Sequence, residues 1–125
     1  PYLPNGEVGA AYGAAGVVLN DHWDFMRREG FLSNRLFDAV ACGARVLTDD
    51  VRGLGNIFGR SVQVVRTPED LIRLSSLPDP DAVFGDEAER RAVAERVLRE
   101  HSFDARARRL VEVAVEARRE RGFDR

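Results

Sequence analysis

Ser33, Asn34, Arg35 and Asp38 gather the residue types best suited to hold an anionic, hydroxyl-bearing ligand. Ser33 stands where a helix N-cap belongs, Asn34 to Cys42 reads as the helix, and Gly43 suits its C′ position. The start of such a helix offers backbone N–H groups and about half a positive charge, which together favour a phosphate. Arg35 can add charge-assisted hydrogen bonds. Asn34 and Asp38 are four residues apart and so share one face, with Arg35 beside them. The Asp38 carboxylate lies roughly 7 Å further along the axis, at about 1.5 Å per residue. Leu36, Phe37, Val40 and Ala41 are left to pack against a sheet, which gives the helix an apolar back and a polar front.

Other residues could join this constellation. Asn20 ends an apolar run at a place where open α/β sheets bind ligands, and it reads equally as a hydrogen-bonded strand terminator. Asp49-Asp50 reads as a turn start ahead of a cleft lining, and His22, Trp23 and Phe25 read either as a base- or sugar-facing loop or, for the aromatics, as packing. His101 reads as a structural residue at the entry to the last helix, and Cys42 as a small packed side chain. Two distant histidines and one cysteine do not make a zinc site, so no metal and no cofactor are expected.

All 19 basic residues are arginine, which fits the bias of a high-GC bacterial genome and excludes every mechanism that needs a lysine. A net charge of -2 gives no general attraction to nucleic acid or to anionic membranes, so any phosphate site must be local. The lone cysteine fits a reducing cytosol, and no segment approaches the roughly 20 apolar residues of a membrane span. The expected location is cytoplasmic.

The elements that must position these residues alternate. A short helix over 7–15 precedes a buried strand, Gly16 to Asn20, and a polar and aromatic loop, Asp21 to Leu32. After the Asn34 helix come the strand Val46 to Thr48 and a glycine-bearing turn from Arg52 to Gly55. A third strand, Ser61 to Val65, leads to a helix capped at Thr67-Pro68. Leu77 to Asp81 breaks the chain, and 86–100 and 104–121 read as amphipathic helices, the last with Leu110, Val113 and Ala117 as its apolar stripe. Strands alternating with helices imply an α/β fold, a Rossmann-like parallel sheet with flanking helices. Three strands are few for that class, and the chain opens on Pro1, so a fragment of a larger domain, lacking its first strands, is expected.

The ordered set Val18-Leu19-Asn20, Gly30 to Ala44 and Val46-Leu47-Thr48-Asp49 resembles the C-terminal half of glycosyltransferases related to group 1 and to the spore maturation proteins. Their pattern runs from a strand ending Leu-Asn through Asn-Arg-x-Phe-Glu-Ala-x-Ala-x-Gly to a strand ending in aspartate. A segment Gly-Leu-x-Glu-x-Phe follows, matched by Gly53 to Phe58 with Asn56 in the glutamate position. His101-Ser102-Phe103-Asp104-Ala105-Arg106 is similar to the family's His-Thr-Tyr-x-x-Arg entry to its final helix. The similarity spans nearly the whole chain. It implies that 1–125 is a partial C-terminal, nucleotide-sugar-binding domain of a GT-B fold, inactive alone and partnered by an N-terminal acceptor domain. It further implies sugar transfer from a nucleotide-sugar, retaining and metal-independent. Asn20, Ser33, Asn34, Arg35 and Asp38 are then the donor-binding residues, with diphosphate at the helix tip and ribose hydroxyls at Asp38; no catalytic residue is assigned. Such enzymes read the donor with two acids separated by seven residues. Asp38 matches the second, and the first falls at Gly30, beside Glu29.

A non-catalytic nucleotide-sugar-binding or scaffold module would keep this fold without the chemistry. A dinucleotide-binding oxidoreductase would use Gly53-x-Gly55-x-x-x-Gly59, one residue too long in its last interval. Phospho-receiver and P-loop readings fail because they require a lysine.

Overall fold

The computed structural model describes residues 2–121. Three parallel strands, β1 (Val18–Asn20), β2 (Val46–Thr48) and β3 (Val62–Val64), form one sheet in the order β1-β2-β3. Among the described residues seven α-helices surround them: α1 (Asn5–Ala14), α2 (Asp24–Glu29), α3 (Asn34–Ala41), α4 (Pro68–Ser75), α5 (Asp81–Phe84), α6 (Glu87–His101) and α7 (Phe103–Glu120). The chain is α/β, as the alternation of elements requires.

Local chemistry sets the helix starts. The Ser33 hydroxyl accepts from the backbone N–H of Arg35 at 3.2 Å to begin α3, and Thr67 accepts from Asp70 at 3.1 Å ahead of Pro68. Asp86 and Glu89 form a reciprocal capping box on α6. Gly43 takes the left-handed conformation (φ +76°) that stops α3.

Register puts Val18, Val46 and Val62 side by side on one sheet face. Against them pack Leu36, Ala39 and Val40 of α3, Val97 of α6 and Phe58 from the loop before β3. The opposite face is thinner: Leu47 is buried against Leu74 of α4 and Phe84 of α5, while its neighbour Leu19 is 58% exposed. Arg90 of α6 is buried, donating to the Gly43 and Gly85 carbonyls and to Asp81 (2.7 Å), which also accepts from Arg45 at 2.6 Å. Those two guanidiniums, Arg45 first, hold the Asp81 carboxyl below its ordinary range.

Four expectations need correction. Asp21 to Leu32 is not all loop, because Asp24–Glu29 closes a helical turn that ends at Gly30. Of the two readings of the Asp21 to Leu32 aromatics, packing does not hold: Trp23 is 78% exposed, and Phe25, exposed too, meets the Phe31 ring at a tilt with centroids 6.1 Å apart. Cys42 is exposed at the end of α3, its Sγ near Gly9, and its thiol is pushed up by partial burial and then by the Asp38 charge one turn earlier. Finally, α7 buries no residue, so Leu110, Val113 and their neighbours form a stripe that covers no core.

Candidate functional site

The carboxyl ends of β1 and β2 and the first turn of α3 converge on one edge of the sheet, tied by a chain of side-chain hydrogen bonds. Asn20 at the end of β1 donates through Nδ2 to Thr48 Oγ1 at 3.0 Å, and Thr48 donates to Asp49 Oδ1 at 3.2 Å. Asp49 grips His22 twice: Oδ2 accepts the His22 backbone N–H at 3.2 Å, and Oδ1 lies 2.6 Å from Nδ1. The far side of the same ring, Nε2, accepts the backbone N–H of Ser33 at 3.0 Å. An amide N–H can only donate, so Nε2 carries the lone pair and the proton resides on Nδ1, facing the carboxylate. The His22 side chain is fully enclosed.

Asn20 makes the hydrogen bond expected of a strand terminator. It is 7% exposed, and its side-chain Oδ1 is buried with no partner among the described residues. Asp49 is part of the site's frame and does more than start a turn. Asp50 faces outward to Arg66, with Arg66 Nη2 at 3.0 Å.

The start of α3 is less open than its sequence implies. The Ser33 amide is taken by His22 and the Arg35 amide by the Ser33 hydroxyl, which leaves the Asn34 N–H as the amide of the tip to offer. Two depressions flank that tip. One is lined by Asp21, His22, Trp23, Met26, Ser33 and Arg35, with Arg35 Nη1 3.6 Å from Asp21. The other is a cleft of about 200 Å³ between α3 and the α6–α7 junction, into which Asn34 and Asp38 open. Its floor is Phe37, edge-on to Phe58 (4.9 Å), flanked by the His101 ring (5.4 Å) and covered by the Arg106 guanidinium 4.4 Å above the ring. Neither Asp38 nor Arg106 forms a salt bridge among the described residues.

The helix thus brings Asn34 and Asp38 together and sends Arg35 to the other side. Consecutive residues on an α-helix point about 100° apart, so a neighbour in sequence is not a neighbour on the face. Sequence reasoning missed His22 as the centre of the frame, and His101 and Arg106 as walls of the Asp38 cleft. The signals were present: a histidine two residues beyond a strand end, and His101-Ser102-Phe103-x-x-Arg106 at the entry to the last helix.

At Gly30, where the resemblance puts the first donor-reading acid, the backbone leaves no room for a side chain. It adopts φ +79° to end α2, and a Cβ there would stand 2.8 Å from the Arg52 carbonyl oxygen. A side chain at this position requires the chain around it to shift.

Gly53, Gly55 and Gly59 occupy left-handed turns that lead into a single 3-10 turn, Gly59–Ser61, and then into β3. A dinucleotide fingerprint needs its glycines to open a helix onto the pyrophosphate, and here they open a strand. Among the described residues no group of three His, Cys, Asp or Glu side chains is placed to hold a metal ion, and no helix is long and apolar enough to cross a membrane.

With this geometry in place, comparison with known proteins gives one positive result. A family model described as glycosyl transferase-like matches residues 1–112. No curated protein and no solved structure matches the chain.

Proposed function

The chain belongs to the glycosyl transferase-like family, and from that premise we propose that it forms the donor-binding part of an enzyme that moves a sugar from a nucleotide-sugar to an acceptor. The observation that carries this reading is the open face of α3. Asn34 and Asp38 look into a cleft walled by Phe37, His101 and Arg106, and among the described residues Asp38 forms no salt bridge. An unpaired carboxylate one turn beyond the tip suits a pair of ribose hydroxyls, because each hydroxyl donates to a charged acceptor. The diphosphate then lies across the tip, against the Asn34 N–H and the Arg35 guanidinium. A nucleotide-sugar is extended, so anchoring its middle at the tip puts nucleoside and sugar on opposite sides of α3, where the two depressions lie.

No metal is required in this scheme. The helix tip and arginines offset the charge that develops on the leaving diphosphate. Transfer with retention at the anomeric carbon follows from the resemblance to group 1 enzymes. The acceptor is held by a second domain outside this chain, and further strands continue the sheet beyond β1. The exposed Leu19 supports further structure over that face of β1, since parallel strands are ordinarily covered on both faces.

Calorimetric titration of the full-length protein with uridine and guanosine diphosphates tests the reading, followed by assays for transfer or hydrolysis of the matching nucleotide-sugars. Binding of one diphosphate together with sugar release supports an enzyme. Binding without any sugar release would make the domain a non-catalytic nucleotide-sugar module, and no binding of either diphosphate would sink the donor reading.

A further inference from the structure

We infer that His22 is a positioning residue for the donor site: its neutral imidazole, fixed by Asp49, sets the start of α3 where the diphosphate is to bind. The inference rests on the donor reading above and adds a residue that reading does not use. His22 joins three segments that the chain keeps apart, the exits of β1 and β2 and the N-cap of α3. Its two ring nitrogens do opposite jobs. Nδ1 donates to Asp49, and Nε2 accepts the Ser33 amide. Asp49 chooses the tautomer, because a carboxylate 2.6 Å away requires the proton on the nitrogen that faces it. The second nitrogen then has the lone pair that the Ser33 N–H needs.

The consequence falls on the anion site. With the Ser33 amide engaged inward and the Arg35 amide capped, the Asn34 N–H and the Arg35 side chain remain for a ligand. An apolar side chain of similar size could fill the space His22 occupies, but it could not orient that first turn. Binding and catalytic groups lose effect when displaced by about 1 Å.

Protonation opposes this arrangement. An imidazolium carries N–H on both nitrogens, so Nε2 would meet the Ser33 N–H donor to donor, while the Asp49 contact survives.

Two substitutions in the full-length protein separate the two bonds. In His22→Gln the side-chain oxygen stands near the Nε2 position and can accept from Ser33. In His22→Asn the side-chain amide stands near Nδ1 and can keep only Asp49. Titrated with uridine and guanosine diphosphates at about pH 8, His22→Gln should bind within about threefold of wild type and His22→Asn should bind about tenfold more weakly, the scale of one buried hydrogen bond. Thermal unfolding measured alongside should not rank the variants in the same order. His22→Asn binding like wild type, or both variants losing affinity in step with melting temperature, would overturn the positioning role and leave the donor reading intact. No diphosphate binding by wild type at any pH would remove both. Neither variant folding would make His22 a residue of the fold at large and overturn the positioning role.

Discussion

Where α3 and α6 meet the sheet, Leu36, Val40, Phe58 and Val97 are enclosed; along β1, α2 and α7, Leu19, Trp23, Phe31 and Leu110 stand in solvent. The residue types are alike and the surroundings opposite. The contrast is clearest between α6 and α7, both rich in arginine and glutamate with an apolar stripe. Helix α6 buries Arg90, Ala94 and Val97, and α7 buries none of its residues. An amphipathic pattern states that a helix can cover an apolar surface, and the packed elements decide whether it does. The two faces of α3 repeat the contrast on a smaller scale, with Leu36, Ala39 and Val40 buried and Asn34, Arg35 and Asp38 open.

Four substitutions probe this division. The largest effect is expected inside the packed region. Leu36→Ala should cost about 2–5 kcal/mol, the range for a fully buried leucine whose site collapses only partly, read as a lowered midpoint in urea unfolding. A cost below about 1 kcal/mol would mean that the α3–sheet contact is not the centre of stability.

On the open face of the same helix the effect should move from folding to binding. Asp38→Ala should weaken nucleotide-sugar binding by about 1–3 kcal/mol and leave the melting temperature nearly unchanged, since a charged hydrogen-bond partner is removed from an exposed position. Unchanged donor affinity beside a large loss of melting temperature would assign Asp38 to the fold.

The salt-bridged carboxylate at the edge of the packed region should show in acid. The Asp81 carboxyl is held below its ordinary range by Arg45 and Arg90, so its contribution to stability is fully present above the unfolded-state value and is lost as pH falls through the lower folded value. Asp81→Asn should flatten the acid limb of a melting-temperature profile below about pH 4. A variant as acid-sensitive as wild type would show that other carboxylates govern that limb.

The smallest effect is expected on α7. Leu110→Ser should change stability by no more than about 0.5 kcal/mol, because Leu110 is 71% exposed. A loss of about 2 kcal/mol or more in the full-length protein would show that α7 is covered there.

Much of this molecule could be read from residue order because the forces involved act over a few residues. The Ser33 and Thr67 caps, the Gly43 stop, the strands around Val46 and Val62 and the shared face of Asn34 and Asp38 all follow from spacing and side-chain chemistry within one or two turns. The family resemblance was carried by such runs as well. What the residues could not reveal depends on groups far apart in the chain. His22 meets Asp49 across 27 positions and Ser33 across 11, so neither its tautomer nor its burial has a local signature. Arg106 reaches the Asp38 cleft only because α6 runs along α3 and returns α7 beside it. The exposure of Trp23 and of the α7 stripe has the same origin. Burial belongs to the partner surface as much as to the residue, and only the tertiary structure supplies or withholds that surface.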